Sequence, residues 1–84
     1  MNQLTEELRI LKLDLPKKGV VVLELLLNEI GRTVSEQYLL DTAGCTDAML
    51  RYYIKLLRQH GCTIQTHSGK GFRLERLPGG EEPK

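Results

Sequence analysis

Two cations one helical turn apart, Arg51 and Lys55, with Asp47 one turn ahead of them, form the most chemically suggestive row in this 84-residue chain. A guanidinium presents a rigid fork that can hold a guanine edge or a phosphate by two hydrogen bonds, and an ammonium supplies a point charge. Asp47 can accept from a cytosine amine or orient Arg51, while Thr46 and Tyr52 carry hydroxyls able to donate to phosphate. A second basic feature follows at Lys70, set between Gly69 and Gly71, with Arg73 a little farther on. Ser35 and Arg32 lie upstream, where a helix cap and a loop cation can approach the same polyanion. Two plainer readings account for the same residues. A charged row is the solvated face of any amphipathic helix, and Gly-Lys-Gly also serves a turn because glycine supplies positive φ.

The pattern points away from bond-breaking chemistry. The sequence has no Ser/His/Asp or Cys/His arrangement with a supporting elbow, no paired carboxylate set and no phosphate loop, so no enzyme is expected. Cys45 and Cys62 stand seventeen apart without a CxxC pair. His60 and His67 do not complete a zinc-site spacing, so reduced thiols, no metal and no cofactor are expected. The longest apolar runs are interrupted by Glu24, so neither a signal peptide nor a membrane span is expected, and the chain reads as soluble and cytoplasmic.

Charge is distributed unevenly. Residues 1–50 hold five Lys or Arg against eight Asp or Glu, a net of −3, whereas residues 51–76 hold six cations against Glu75 alone, a net of +5. Phosphate attraction depends on a local field, so this asymmetry says more than the overall +1.

Several elements must position these groups. Ser35 can cap a short helix containing Tyr38, Leu39 and Leu40; Gly44 and Cys45 make a corner; Thr46 caps a second helix over residues 46–60. Leu50, Ile54 and Leu57, with Tyr53 beside them, give that helix a buried stripe opposite the Asp47, Arg51 and Lys55 row. Gly61 stops it, with Arg58 and His60 in the last turn where cations suit the dipole. Alternation at Cys62, Ile64 and Thr66, a turn over residues 68–71, and Phe72 with Leu74 then predict a β-hairpin. Leu40, Leu50, Ile54, Leu57, Ile64 and Phe72 are expected to turn inward, and Arg51, Lys55, Lys70 and Arg73 to line one face.

Upstream, the apolar run over residues 20–27 predicts a buried helix spanning 17–29, with Pro16 at its first position, Gly31 as its stop and Glu24 on its exposed edge. Residues 32–34 are extended in character and can add a third strand to the hairpin. Residues 4–14 fit an amphipathic helix slightly better than an edge strand. The divisions expected are 1–15 as an N-terminal helix or strand and possible dimerisation segment, 16–77 as the domain, and 78–84 as a disordered tail.

Residues 16–75 resemble two protein families. GCTDAMLRYYIKLLRQHGCTIQTHSGKGFRLE is similar to the DNA-binding domain at the start of bacterial biotin ligase/repressor proteins. LPKKGVVVLELLLNEIGRTVSEQYLL looks like the effector domain of OmpR/PhoB-type response regulators. Both are winged helix-turn-helix proteins, and the resemblance implies a small α/β domain of three core helices and a C-terminal hairpin wing. It implies Thr46, Asp47, Arg51, Tyr52 and Lys55 facing a DNA groove, Ser35 capping the supporting helix near the backbone, and Lys70 and Arg73 on the wing. A receiver domain and a biotin-ligase domain are absent from this chain. The function expected is sequence-specific binding of double-stranded DNA in transcriptional regulation by a bacterial or phage-like protein. Helix 46–60 would lie in the major groove and wing 66–73 on the adjacent backbone or minor groove. A homodimer or a protein partner is expected, because one module buries little on DNA. The alternative is a winged-helix adaptor for a protein partner, favoured by the acidic first half and the tyrosine pair.

Overall fold

The computed structural model describes residues 12, 13 and 15–77. Lys12 and Leu13 are helical; the rest of the segment weighed between helix and strand, and the tail after Leu77, lie outside the described residues. Three helices and three strands follow: α1 (Lys17–Asn28), β1 (Thr33–Ser35), α2 (Glu36–Ala43), α3 (Asp47–Gln59), β2 (Thr63–His67) and β3 (Gly71–Arg76). The strands form one antiparallel sheet in the order β1-β3-β2.

Helix α1 forms despite its valine run because its apolar residues fall on one stripe, burying Val22, Leu23 and Leu26 completely. Pro16 is its cap, one position earlier than the sequence suggests, and extended backbone there costs proline nothing. Gly31 does not end the helix, whose cap is Glu29; the Gly31 amide instead donates to the Leu74 carbonyl at 2.9 Å, starting the approach of β1 to β3. Glu24 is exposed and pairs with Lys12 at 2.8 Å.

The corner between α2 and α3 depends on Gly44, whose left-handed φ of 68° closes α2 with its amide on the Leu40 carbonyl. Lys18 of α1 donates to the Gly44 carbonyl at 2.7 Å and so ties the corner to the first helix. Thr46 then caps α3, its Oγ1 accepting from the Met49 amide at 3.2 Å.

Leu50, Ile54, Leu57, Ile64 and Phe72 are buried as expected, together with Leu39, Leu74 and Val34. Leu40 is only partly buried against this core, and Leu39 takes the inward position because α2 meets α1 along the Leu39 and Ala43 face. The third strand is real but runs one residue later than residues 32–34, pairing Val34 with Phe72 and Ser35 with Gly71. That last pairing is close: a Cβ on Gly71 would stand 1.9 Å from the Val34 carbonyl oxygen. Thr66 is exposed, although its alternation with Ile64 suggested the buried face; its hydroxyl accepts from Arg58 of α3 rather than packing in the core.

Candidate functional site

The N-terminal turns of α2 and α3 meet beside the hairpin turn, and most of the residues singled out by their chemistry gather there. Each turn is fixed by its own cap, Ser35 Oγ accepting from the Tyr38 amide at 3.0 Å and Thr46 Oγ1 from the Met49 amide. Glu36 and Asp47 are thereby the first helical residue of each helix, where a carboxylate complements the positive end of the dipole. Between them and the hairpin turn runs an open groove of about 530 Å³, lined by Ser35, Glu36, Gln37, Leu40 and Asp47 on one side and Gly69 and Lys70 on the other.

Arg51 is held at the rim of this groove. Its Nε donates to Asp47 Oδ2 at 3.1 Å, and its Nη2 lies 3.9 Å from Glu36 Oε2. The two carboxyls are neighbours that can share a proton, a protonated Glu36 donating to the Asp47 carboxylate. Sharing that bond pushes the Glu36 carboxyl above the ordinary 4.5, with some desolvation adding to the effect. It holds Asp47 below 3.8, an effect to which Arg51 also contributes, and the Asp47 bond in turn raises Arg51. All three groups face solvent, so salt screens this triad and its strength is modest.

From this triad the exposed face of α3 continues through Tyr52 to Lys55, while Leu50, Tyr53, Ile54 and Leu57 fill the opposite face. Ser35, Asp47 and Lys70 line the groove together, Arg51 is tied to it through Asp47 and Glu36, Thr46 caps the adjoining turn, and Tyr52 and Lys55 are exposed farther along α3. Arg73 does not join them. Phe72 and Leu74 point into the core, so the intervening Arg73 is turned to the outer face of the sheet, where Glu75 binds it at 2.8–2.9 Å. Arg32 is exposed in the connection between α1 and β1, its amide on the Glu29 carbonyl, one residue before the Thr33–Arg73 pair. Of the four cations expected on one face, Lys70 lines the groove and Arg51 and Lys55 are exposed one turn apart on α3, whereas Arg73 pairs with Glu75 on the outer face of the sheet.

Two cations and a carboxylate take roles that sequence spacing alone did not supply. Arg58, placed by its number near the helix dipole, also reaches β2, donating to the Ile64 carbonyl at 2.7 and 3.2 Å and to Thr66 Oγ1 at 2.9 Å. Lys18 holds the corner, as described above. Glu36 enters the Arg51 site from a different helix, and its only sequence signal was its place directly after a capping serine.

Among the described residues there is no group of three or more His, Cys, Asp or Glu side chains arranged to hold a metal ion. No described helix is long and apolar enough to cross a membrane. Comparison of the chain with family models, with curated proteins and with solved structures gave no match. The fold assignment rests on the topology itself: three helices, the second and third joined at a tight corner, and a C-terminal antiparallel hairpin make a winged helix-turn-helix domain.

Proposed function

We propose that this domain binds double-stranded DNA sequence-specifically and acts in transcriptional regulation, with α3 in the major groove and the hairpin turn on the adjacent backbone. The observation that carries this reading is the division of α3 into a fully packed face and an open one. The open face presents Arg51, Tyr52 and Lys55 beside the turn that carries Lys70. A helix so mounted can enter a groove about 12 Å wide without disturbing the core. In this reading Lys55 and Lys70 meet phosphates, Arg51 reads a base edge and Asp47 keeps its fork oriented. Arg73 is engaged by Glu75 on the outer face of the sheet. Charges of one module are few, so a dimer or a partner supplies the remaining affinity.

The Glu36 and Asp47 carboxylates beside Arg51 favour a second reading, a winged-helix adaptor that docks a protein, since they repel phosphate at the rim of the groove. A titration separates the two readings. Purified protein is measured against random-sequence and selection-enriched duplexes at two salt concentrations, as wild type and with Arg51→Glu, Lys70→Glu or Arg73→Glu. The DNA reading expects affinity to fall with salt and Arg51→Glu and Lys70→Glu each to weaken binding by about tenfold or more, with Arg73→Glu much milder. Retention unchanged by Arg51→Glu and Lys70→Glu across the salt series assigns the domain to the adaptor role.

A further inference from the structure

The two carboxyls at the rim of the groove are not equivalent. Asp47 is on the same helix as Arg51, one turn away, and takes its Nε, leaving the two terminal nitrogens for other partners. Glu36 belongs to α2 and faces one of those terminal nitrogens, Nη2, at 3.9 Å. It therefore competes for an arm that a base or a phosphate would use. Position matters here: Glu36 is the first residue of α2, fixed by the Ser35 cap and by the β1–β3 pairing directly before it, so its carboxyl is presented to α3 by two rigid elements.

We propose that Glu36 is a specificity-determining positioning residue: facing Arg51 Nη2 from the supporting helix, it withholds the guanidinium from isolated phosphates and releases it to a guanine edge. The role rests on the DNA-binding reading above. A phosphate can also take the fork by two bonds, but it brings its charge beside two carboxylates. A guanine offers two bonds through O6 and N7 and brings no charge, so it displaces Glu36 on better terms. Protonation of Glu36 removes the competitor. The charged groups around it are Asp47 and Arg51 from α3 and Lys70 from the hairpin turn across the groove, with Asp41 on its own helix engaged by Gln37 at 2.9 Å. Because its carboxyl titrates above the ordinary 4.5 and that of Asp47 below its ordinary value, acidification releases Arg51 from Glu36 before Asp47 gives up its hold on Nε.

The test is a cycle of four proteins, wild type, Glu36→Gln, Arg51→Ala and the double variant, each titrated with random-sequence and enriched duplexes from neutral to weakly acidic pH. At neutral pH Glu36→Gln is expected to raise affinity for random DNA by about two- to fivefold, the scale of an exposed ion pair, and to raise affinity for the enriched duplex less, lowering the ratio between them. On the Arg51→Ala background the same change should move random-DNA affinity much less. On acidification, wild type should approach Glu36→Gln. If Glu36→Gln leaves the specificity ratio unchanged while wild type binds DNA, the proposal is overturned and the DNA reading stands. An equal effect on the Arg51→Ala background overturns it in favour of plain repulsion between Glu36 and phosphate. Wild type that binds neither duplex overturns the DNA reading and the role of Glu36 with it.

Discussion

At the scale of single residues, adjacent side chains in α3 meet opposite fates. Tyr53 is buried against α1 while Tyr52 is half exposed, with ring centroids 6.0 Å apart, so the bulky pair divides between core and surface. The thiols divide in the same way. Burial pushes Cys62 up to about 11 from 9.0, whereas Cys45 is only half-buried at the corner. Near pH 8 an aromatic disulfide reagent is expected to modify Cys45 at least about tenfold faster than Cys62, which should react only when the fold opens. Equal rates for the two would contradict the packing around Cys62. The linkage has a definite sign: stability tied to the neutral Cys62 thiol is fully present below pH 9 and is lost as pH rises toward about 11. Much at this scale was legible in the sequence, because Leu50, Ile54 and Leu57 announce the buried stripe by spacing alone. The approach of Glu36 to Arg51 was not, since it depends on how two helices meet, and neither was the Glu75 partner that holds Arg73 on the outer face.

At the scale of elements, caps and one close strand pairing organise the site. The order helix, corner, helix, hairpin was readable because Ser35, Gly44, Thr46 and Gly61 punctuate apolar periodicities. The inward choice of Leu39 over Leu40 and the one-residue shift of β1 were not readable, since both are decided by neighbours distant in sequence. Gly71 is the residue on which the β1–β3 pairing depends, at φ 145° and against the Val34 carbonyl. Gly71→Ala is expected to cost more than about 2 kcal/mol in urea unfolding, because the added Cβ must push β1 away. Gly69→Ala, at the hairpin turn with nothing within 4 Å of the added carbon, should cost about 1 kcal/mol from its φ of 76° alone. Equal losses for the two would mean that β1 does not press on Gly71. Loss of β1 would also free Ser35 and with it the presentation of Glu36, so Gly71→Ala should disturb the groove between α2 and the hairpin turn without being part of its lining.

At the scale of the whole molecule, the basic residues concentrate in the second half of the chain, but the fold sorts them onto different surfaces. Arg51 and Lys55 are exposed on α3, Lys70 is in the hairpin turn, Arg73 sits on the outer sheet, and Arg58 links α3 to β2. A charge count along the sequence therefore overstates the cationic field that any one partner meets. Away from α3 a second depression, about 330 Å³ and bordered by Leu25, Asn28, Glu29, Thr33 and Tyr38, marks the α1–β1 side. The two proposed roles would use different sides or different chemistry, and amide chemical-shift mapping on addition of the enriched duplex at moderate salt tests the central claim most directly. The account predicts shifts confined to the start of α2, the exposed positions of α3 and residues 68–70, diminishing as salt rises. Shifts centred on Leu25, Asn28 and Thr33, with α3 and Lys70 unmoved, would contradict it.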